Sequence, residues 1–266
     1  MQQLSLAYNS SVINYYVFGS GAEVLFCLHG YGENGSSFSF LEKHLGVVYT
    51  IYAIDFPFHG ATEWKEDQPF TIDDLIIILH SIQSKQSAMF SLLAYSMGGR
   101  AAMHLLQQIP EKIKAVVLIA PDGLHVNFWY WFTTRTRFGN KAFAYTMKRP
   151  AWFFSFIDSI GKLKIYNQSI IKFVHYHLDD AEQRTLLYKR WTYMRKMRPD
   201  LTAIKKLCAE KAIKLNFLFG KYDRIILSKR ADFFKNAKNI KIQIIDAGHQ
   251  LLKEKYANEI KALLNE

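Results

Sequence analysis

From residue 23 onward, short apolar runs alternate with stretches of helical periodicity: Glu23–Leu28, Val47–Ile54, 89–95, 113–119, 213–219 and 240–246 against helices over Thr71–Ser84, 97–109, 229–236 and from about 250. A continuous apolar run of this length fits a strand buried on both faces, and strands separated by helices specify a mostly parallel sheet covered on both sides. Two further strands, Gln3–Tyr8 and Val12–Phe18, are joined by an Asn-Ser-Ser turn and read as a hairpin. The expected fold is therefore α/β, a mostly parallel eight-stranded sheet with helices on both faces and an inserted helical cap.

The insertion announces itself by composition. The 266-residue chain has a net charge of +11. Residues 1–120 hold 6 Lys/Arg against 10 Asp/Glu, whereas residues 121–210 hold 16 against 7, with 18 aromatics and four of the five tryptophans. That shift sets a helical unit at 121–210 apart from a core formed by 1–120 and 211–266. Helical stretches are expected at about 151–160, 168–177, 181–197 and 200–209. The aromatic block Asn127–Phe132, with Arg135 and Arg137 behind it, offers two uses besides packing: an apolar or aromatic substrate slot, with Trp129 and Trp131 as candidate contacts, or an anionic site built on inward arginines. A basic amphipathic surface of this kind also suits peripheral contact with an anionic membrane.

Other classes recede. No window approaches the roughly 18 apolar residues of a membrane span, so stable insertion is not expected. Met1–Ser5 has neither the basic patch nor the apolar stretch of a secretory signal, and a cytoplasmic location is the expectation. Cys27 and Cys208 have no metal or redox spacing. The basic residues belong to no recognised nucleic-acid motif. His175 and His177 lack an acidic or thiol partner at suitable spacing and read as surface or gate residues rather than metal ligands. No cofactor is expected, the partner is a small-molecule substrate, and nothing fixes the oligomeric state.

In parallel sheets ligands bind beyond the carboxyl ends of the strands, and His29, Asp55, Ser96, Asp122, Asp223 and His249 all lie at such ends. Ser96 lies in Ala94-Tyr95-Ser96-Met97-Gly98-Gly99, on the sharp turn from an apolar strand into an apolar helix. Small neighbours let strand and helix approach, and such a turn presents a nucleophilic hydroxyl. A hydroxyl needs a base to take its proton and a carboxylate to orient that base. His249 and Asp223 supply these roles, with Asp122 as reserve acid. The N–H groups of Tyr31 and Met97 are candidate donors to an oxyanion. Each residue has a plainer reading: His249 as a helix cap, Asp223 as a turn residue, and His29, Asp55 and His59 as loop-shaping groups.

Taken together, His29-Gly30-Tyr31-Gly32, Asp55–Gly60, Ala94–Gly99, Gly220-Lys221-Tyr222-Asp223 and Gly248-His249 resemble the α/β-hydrolase superfamily in order and spacing. The resemblance covers about 1–120 and 211–266 and implies a cofactor-independent serine hydrolase acting on a carboxylic ester or related carbonyl bond, with a lid at 121–210. Ala94 departs from the glycine usual at that point of the elbow. Tyr95–Arg100 is also similar to the menaquinone-pathway synthase family, which eliminates pyruvate. That resemblance implies a lyase in which Arg100 binds a substrate carboxylate. A ligand receptor on the same fold is a third possibility.

Overall fold

The computed structural model describes residues 1–83, 89–162 and 178–265. His175, His177 and the helix expected over 168–177 lie outside these residues. The chain divides into two compact units, Met1–His125 with Lys196–Glu266, and Val126–Arg195.

The first unit is built on an eight-stranded sheet: β1 (Gln2–Tyr8), β2 (Ser11–Phe18), β3 (Glu23–Leu28), β4 (Tyr49–Ile54), β5 (Phe90–Tyr95), β6 (Ile113–Ile119), β7 (Lys214–Gly220) and β8 (Ile240–Ile245), in the order β1-β2-β4-β3-β5-β6-β7-β8. β2 runs antiparallel to both neighbours and every other pairing is parallel. β5 is buried along its whole length, as an inner strand covered on both faces must be.

Helices α1 (Leu41–Leu45), α2 (Ile72–Ile82) and α3 (Met97–Gln108) belong to this unit. Alternation along the strands sorts the core. Leu25, Cys27, Ile51, Ala53, Leu93, Tyr95, Val117 and Ile119 gather with Leu41 and Leu45 of α1 and with Ile260 and Leu263 near the chain's end. Phe26 points the other way and meets Phe90 edge-on, with ring centroids 5.0 Å apart. Thr71 opens α2 through a capping box: its hydroxyl accepts from the Asp74 N–H at 3.2 Å, and the Asp74 carboxylate accepts from the Thr71 N–H at 2.7 Å.

Four local expectations shift. β4 begins at Tyr49 rather than Val47, because the turn at Gly19–Gly21 claims the preceding backbone: Ser20 N–H donates to Gly46 O at 2.9 Å and Glu23 N–H to Val48 O at 3.1 Å. The segment expected as a helix over 229–236 is a 3-10 helix at Ser228–Phe234. The last helix starts at Ala257, since residues 249–253 make tight turns in which Leu251 N–H donates to His249 O at 2.8 Å. The helix Leu201–Glu210, expected in the insertion, packs with α3 in the first unit, with Ile204 and Cys208 buried and Asp200 N–H donating to Gln107 Oε1 at 3.0 Å. The second unit accordingly spans 126–195, narrower than 121–210.

That unit holds α4 (Phe128–Arg135), α5 (Arg137–Lys148), α6 (Ala151–Lys162) and α7 (Ala181–Tyr193). The side chains of Asn127, Thr136 and Asp180 cap α4, α5 and α7. α5 and α7 pack through Phe143 against Tyr188 and Trp191, and Tyr188 donates to Asn140 Oδ1 at 3.0 Å. Buried Arg184 donates from Nε to Met147 O at 2.9 Å, tying α7 to the end of α5. The remaining elements are α8 (Leu201–Glu210) and α9 (Ala257–Asn265) of the first unit. Among the described residues no helix is long and apolar enough to cross a membrane.

Candidate active site

Ser96 sits between β5 and α3 at φ 47° and ψ −113°, in the left-handed region that a residue with a Cβ rarely adopts. Three hydrogen bonds of its own backbone, and one from the neighbouring strand end, hold it there. Ser96 N–H donates to Ile119 O at 2.9 Å, its own carbonyl accepts from Gly99 N–H at 2.9 Å and Asp122 N–H at 2.8 Å, and Ala120 N–H donates to Leu218 O at 2.8 Å behind it. Close packing makes the turn possible. A Cβ on Gly98 would lie 2.1 Å from Leu28 O, so α3 leans directly on the end of β3. Ala94 is buried at the small position before the serine, and its methyl group fits the turn.

His249 and Asp223 arrive from the ends of β8 and β7. Nδ1 of His249 lies 2.7 Å from Asp223 Oδ2, and Nε2 lies 3.2 Å from Ser96 Oγ. A carboxylate can only accept, so Nδ1 carries the ring proton and Nε2 presents its lone pair to the serine hydroxyl. The other oxygen of Asp223 accepts from the N–H groups of Ile225 and Ile226 at 2.8 and 2.9 Å. Its carboxylate is fully buried, while the imidazole keeps 14 % exposure. Three side chains from distant parts of the sequence therefore form one hydrogen-bonded line.

Asp122 takes a different partner. Its Oδ2 pairs with Nη2 of Arg100 on α3, and its Oδ1 accepts from Gly123 N–H at 2.6 Å. The reserve acid is thus tied to Arg100, the residue that the lyase resemblance assigned to a substrate carboxylate.

Gly30 packs against the Tyr95 ring, and a Cβ placed on it would lie 3.3 Å from Ser96 Cβ, which brings the 29–31 loop beside the serine. Met97 opens α3, and its N–H is among the first-turn amides that have no acceptor within the helix. His29 and Asp55 shape this rim. His29 Nε2 accepts from Phe56 N–H at 3.0 Å, and Nδ1 donates to Gly30 O at 2.7 Å. Asp55 accepts from Gly35 N–H at 2.6 Å, Asn14 Nδ2 at 2.7 Å and Ala61 N–H at 3.0 Å. His59 Nδ1 lies 2.9 Å from Pro57 O. Trp129 and Trp131 are exposed on α4 in the other unit.

Two residues near the line escaped the sequence. The Tyr95 hydroxyl donates to His249 O at 3.3 Å, and its ring lies 5.4 Å from the imidazole. Burial first, then the charges of Glu33 and Asp223, hold the Tyr95 phenol well above its usual range. Burial also raises the Glu33 carboxyl, against the opposing hydrogen bond from Ser37 and the smaller pulls of His249 and Lys253. A hydroxyl inside an apolar strand and an acid two positions after Tyr31 were the available signals. Among the described residues no group of three or more His, Cys, Asp or Glu could hold a metal ion.

A model of the alpha/beta hydrolase fold family matches residues 23–256. The chain belongs to that family. A serine hydrolase-like protein of Danio rerio is 33% identical over 102 residues, covering 36% of this chain and 30% of the relative. The pimeloyl-(acyl-carrier protein) methyl ester esterase of Neisseria meningitidis is 29% identical over 97 residues, 36% of this chain and 35% of that protein. The matches span about a third of these curated relatives. In architecture the chain is similar to a solved thermophilic esterase from Thermogutta terrifontis, with a TM-score of 0.68, 15% identity, and coverage of 100% of this chain and 98% of that one. At that identity the likeness concerns the fold.

Proposed function

We propose that this hydrolase-fold protein is a serine hydrolase cleaving a carboxylic ester through an acyl-enzyme. One observation carries the reading: a serine hydroxyl held on a strained turn, 3.2 Å from an imidazole whose other nitrogen is 2.7 Å from a buried carboxylate. In this mechanism Ser96 Oγ attacks the ester carbonyl as His249 Nε2 takes its proton, and Asp223 stabilises the imidazolium without itself being protonated. The N–H groups of Tyr31 and Met97 hold the oxyanion of the tetrahedral intermediate. His249 returns its proton to the departing alcohol. Water, deprotonated by the same nitrogen, then attacks the acyl-serine, and the acid is released as Ser96 recovers its proton.

An ester, rather than another carbonyl compound, is favoured by the names of two similar proteins, the Neisseria methyl ester esterase and the Thermogutta esterase. We read the inserted unit as the cap implied by the family resemblance, with selection of the acyl group as its role. Against the lyase reading, Nη2 of the Arg100 guanidinium is engaged by Asp122.

A fluorophosphonate probe tests the nucleophile. Labelling of the native protein that disappears in Ser96→Ala supports the reading, and equal labelling of both, or none of either, defeats it. A panel of esters with varied acyl and alcohol groups then defines the substrate. Elimination of pyruvate from the menaquinone precursor, with every ester left intact, would favour the lyase.

A further inference from the structure

The surface of the second unit carries an apolar patch that packing within the unit leaves uncovered. Phe128 and Trp129 are 62% and 67% exposed on α4, and Phe138 is 76% exposed at the start of α5. These rings form one connected surface. Phe128 contacts Trp129 and Trp131 at centroid distances of 5.5 and 5.9 Å, it stacks on Phe132 at 6.1 Å, and Phe132 meets Phe138 at 6.3 Å. A contiguous exposed aromatic surface marks an interaction site more often than a solvated face does.

The segment that carries it is of one sign. From Leu124 to Ile157 the sequence holds five Arg/Lys and no Asp or Glu. On α5, Phe138, Lys141, Tyr145 and Lys148 are all exposed and recur at helical spacing, so rings and cations share one face. We propose that this face of α4 and α5 docks the protein on an anionic phospholipid bilayer. The rings would enter the headgroup region while the flanking cations meet lipid phosphates and carboxylates.

The geometry favours lying on the bilayer over crossing it. At about 1.5 Å per residue, the twelve residues of α5 reach roughly 18 Å, well short of a hydrocarbon core of about 30 Å. Charge disfavours pairing of this face with the same face of a second copy, because the cationic rim would face itself. Single-stranded nucleic acid favours rings set apart as stacking platforms, whereas Phe128, Trp129, Trp131 and Phe132 pack against one another. The proposal does not rest on the hydrolase mechanism, so Ser96→Ala protein serves equally well in the test.

The experiment is flotation of the full chain with vesicles of phosphatidylcholine alone or containing about 30% phosphatidylserine, followed by tryptophan emission. The expected result is binding to the anionic vesicles with a blue shift, reversed at roughly 0.5 M salt, where screening is nearly complete over a few ångströms. Each cation near such a surface contributes about fivefold, so Lys141→Ala/Lys148→Ala should weaken partitioning by about thirtyfold. Phe138→Ser should weaken it as well, with thermal unfolding unchanged for both variants. No flotation with either vesicle would overturn the proposal. So would flotation insensitive to these substitutions, retention by single-stranded DNA without lipid binding, or a dimer dissolved by Phe138→Ser without lipid binding.

Discussion

Replacing Asp223 by asparagine tests the proposed proton relay at its buried end. The carboxylate uses both oxygens: Oδ1 accepts from the Ile225 and Ile226 N–H groups at 2.8 and 2.9 Å, and Oδ2 faces His249 Nδ1 at 2.7 Å. Asparagine has a single acceptor oxygen, so two arrangements compete. Turning the amide away from the backbone would leave the Ile225 and Ile226 N–H groups without that acceptor, so both hydrogen bonds would be lost. Keeping the carbonyl on them instead sets an NH2 against Nδ1. The imidazole then moves its proton to Nε2, where it meets the Ser96 hydroxyl as a donor rather than a base. The second arrangement keeps the fold, and catalysis takes the loss. The corresponding tautomer error in a Ser-His-Asp enzyme lowers kcat by about ten-thousandfold, roughly 5.4 kcal/mol of transition-state stabilisation at about 1.36 kcal/mol per decade. Steady-state kinetics on a chromogenic ester, with urea unfolding as the fold control, provide the assay. Asp122→Asn is the comparison and should change kcat by less than about tenfold, as expected of a group that acts by structure rather than in the reaction. An Asp223→Asn enzyme within tenfold of wild type, or an Asp122→Asn enzyme carrying the large loss instead, would refute this assignment of the acid.

Four further outcomes are expected. Gly98→Ala places a methyl group 2.1 Å from Leu28 O, a backbone atom of β3 that cannot yield; thermal unfolding should report a loss of about 1–3 kcal/mol, with ester turnover falling as Ser96 is displaced. Tyr95→Phe keeps the ring beside Gly30 and removes the hydroxyl that donates to His249 O; urea titration should show a loss of about 1 kcal/mol. Burial raises the Glu33 carboxyl, so the native state holds that proton more tightly than the unfolded chain. Its contribution is therefore complete below the unfolded value of about 4.3 and is lost as pH rises through the folded value. Glu33→Gln should be nearly neutral near the acid end of that window and stabilising at neutral pH, and an equal effect at both would contradict the reasoning. Burial pushes the Cys208 thiol up to about 12 and the Cys27 thiol in the same direction; with the thiolate as the reactive form, iodoacetamide should label neither in the native protein and both in urea, as read by mass spectrometry.

The sheet was legible because its inner strands are buried on both faces, and the apolar runs at Glu23–Leu28 and Ile113–Ile119 have the same bounds in sequence and structure. Errors fall where tertiary contacts override a local pattern. Val47 and Val48 look like strand, but their neighbours are engaged by the Gly19–Gly21 turn, which leaves Val47 at 92% exposure. Leu201–Glu210 has a helical pattern that says nothing about its packing partner, and only the buried Ile204 and Cys208 reveal that it joins α3. Composition alone set the insertion at 121–210, whereas the second compact unit spans Val126–Arg195.

Ser96 and His249 were legible in the sequence as candidates, whereas the carboxylate that joins their hydrogen-bonded line was ambiguous between two aspartates, and the ambiguity has a physical origin. Asp122 and Asp223 each follow a parallel strand, so each reaches the same rim, and no local pattern in either segment reports which way the carboxylate turns. The deciding partner lies elsewhere in the chain. Arg100, four residues beyond the serine on α3, faces the loop after β6 and claims Asp122, whose backbone N–H is already committed to the Ser96 carbonyl. The Asp223 carboxylate is instead held by two backbone amides and aimed at Nδ1. An arginine at position 100 therefore does more than occupy a helix. By pinning one aspartate to the back of the elbow it leaves the other to orient the imidazole, which predicts that Arg100→Met loosens the turn at Ser96 without transferring the orienting role to Asp122. Kinetics of Arg100→Met/Asp223→Asn against Asp223→Asn alone measure this: recovery of kcat in the double variant would show that Asp122 can take over, and the geometry argues for no recovery.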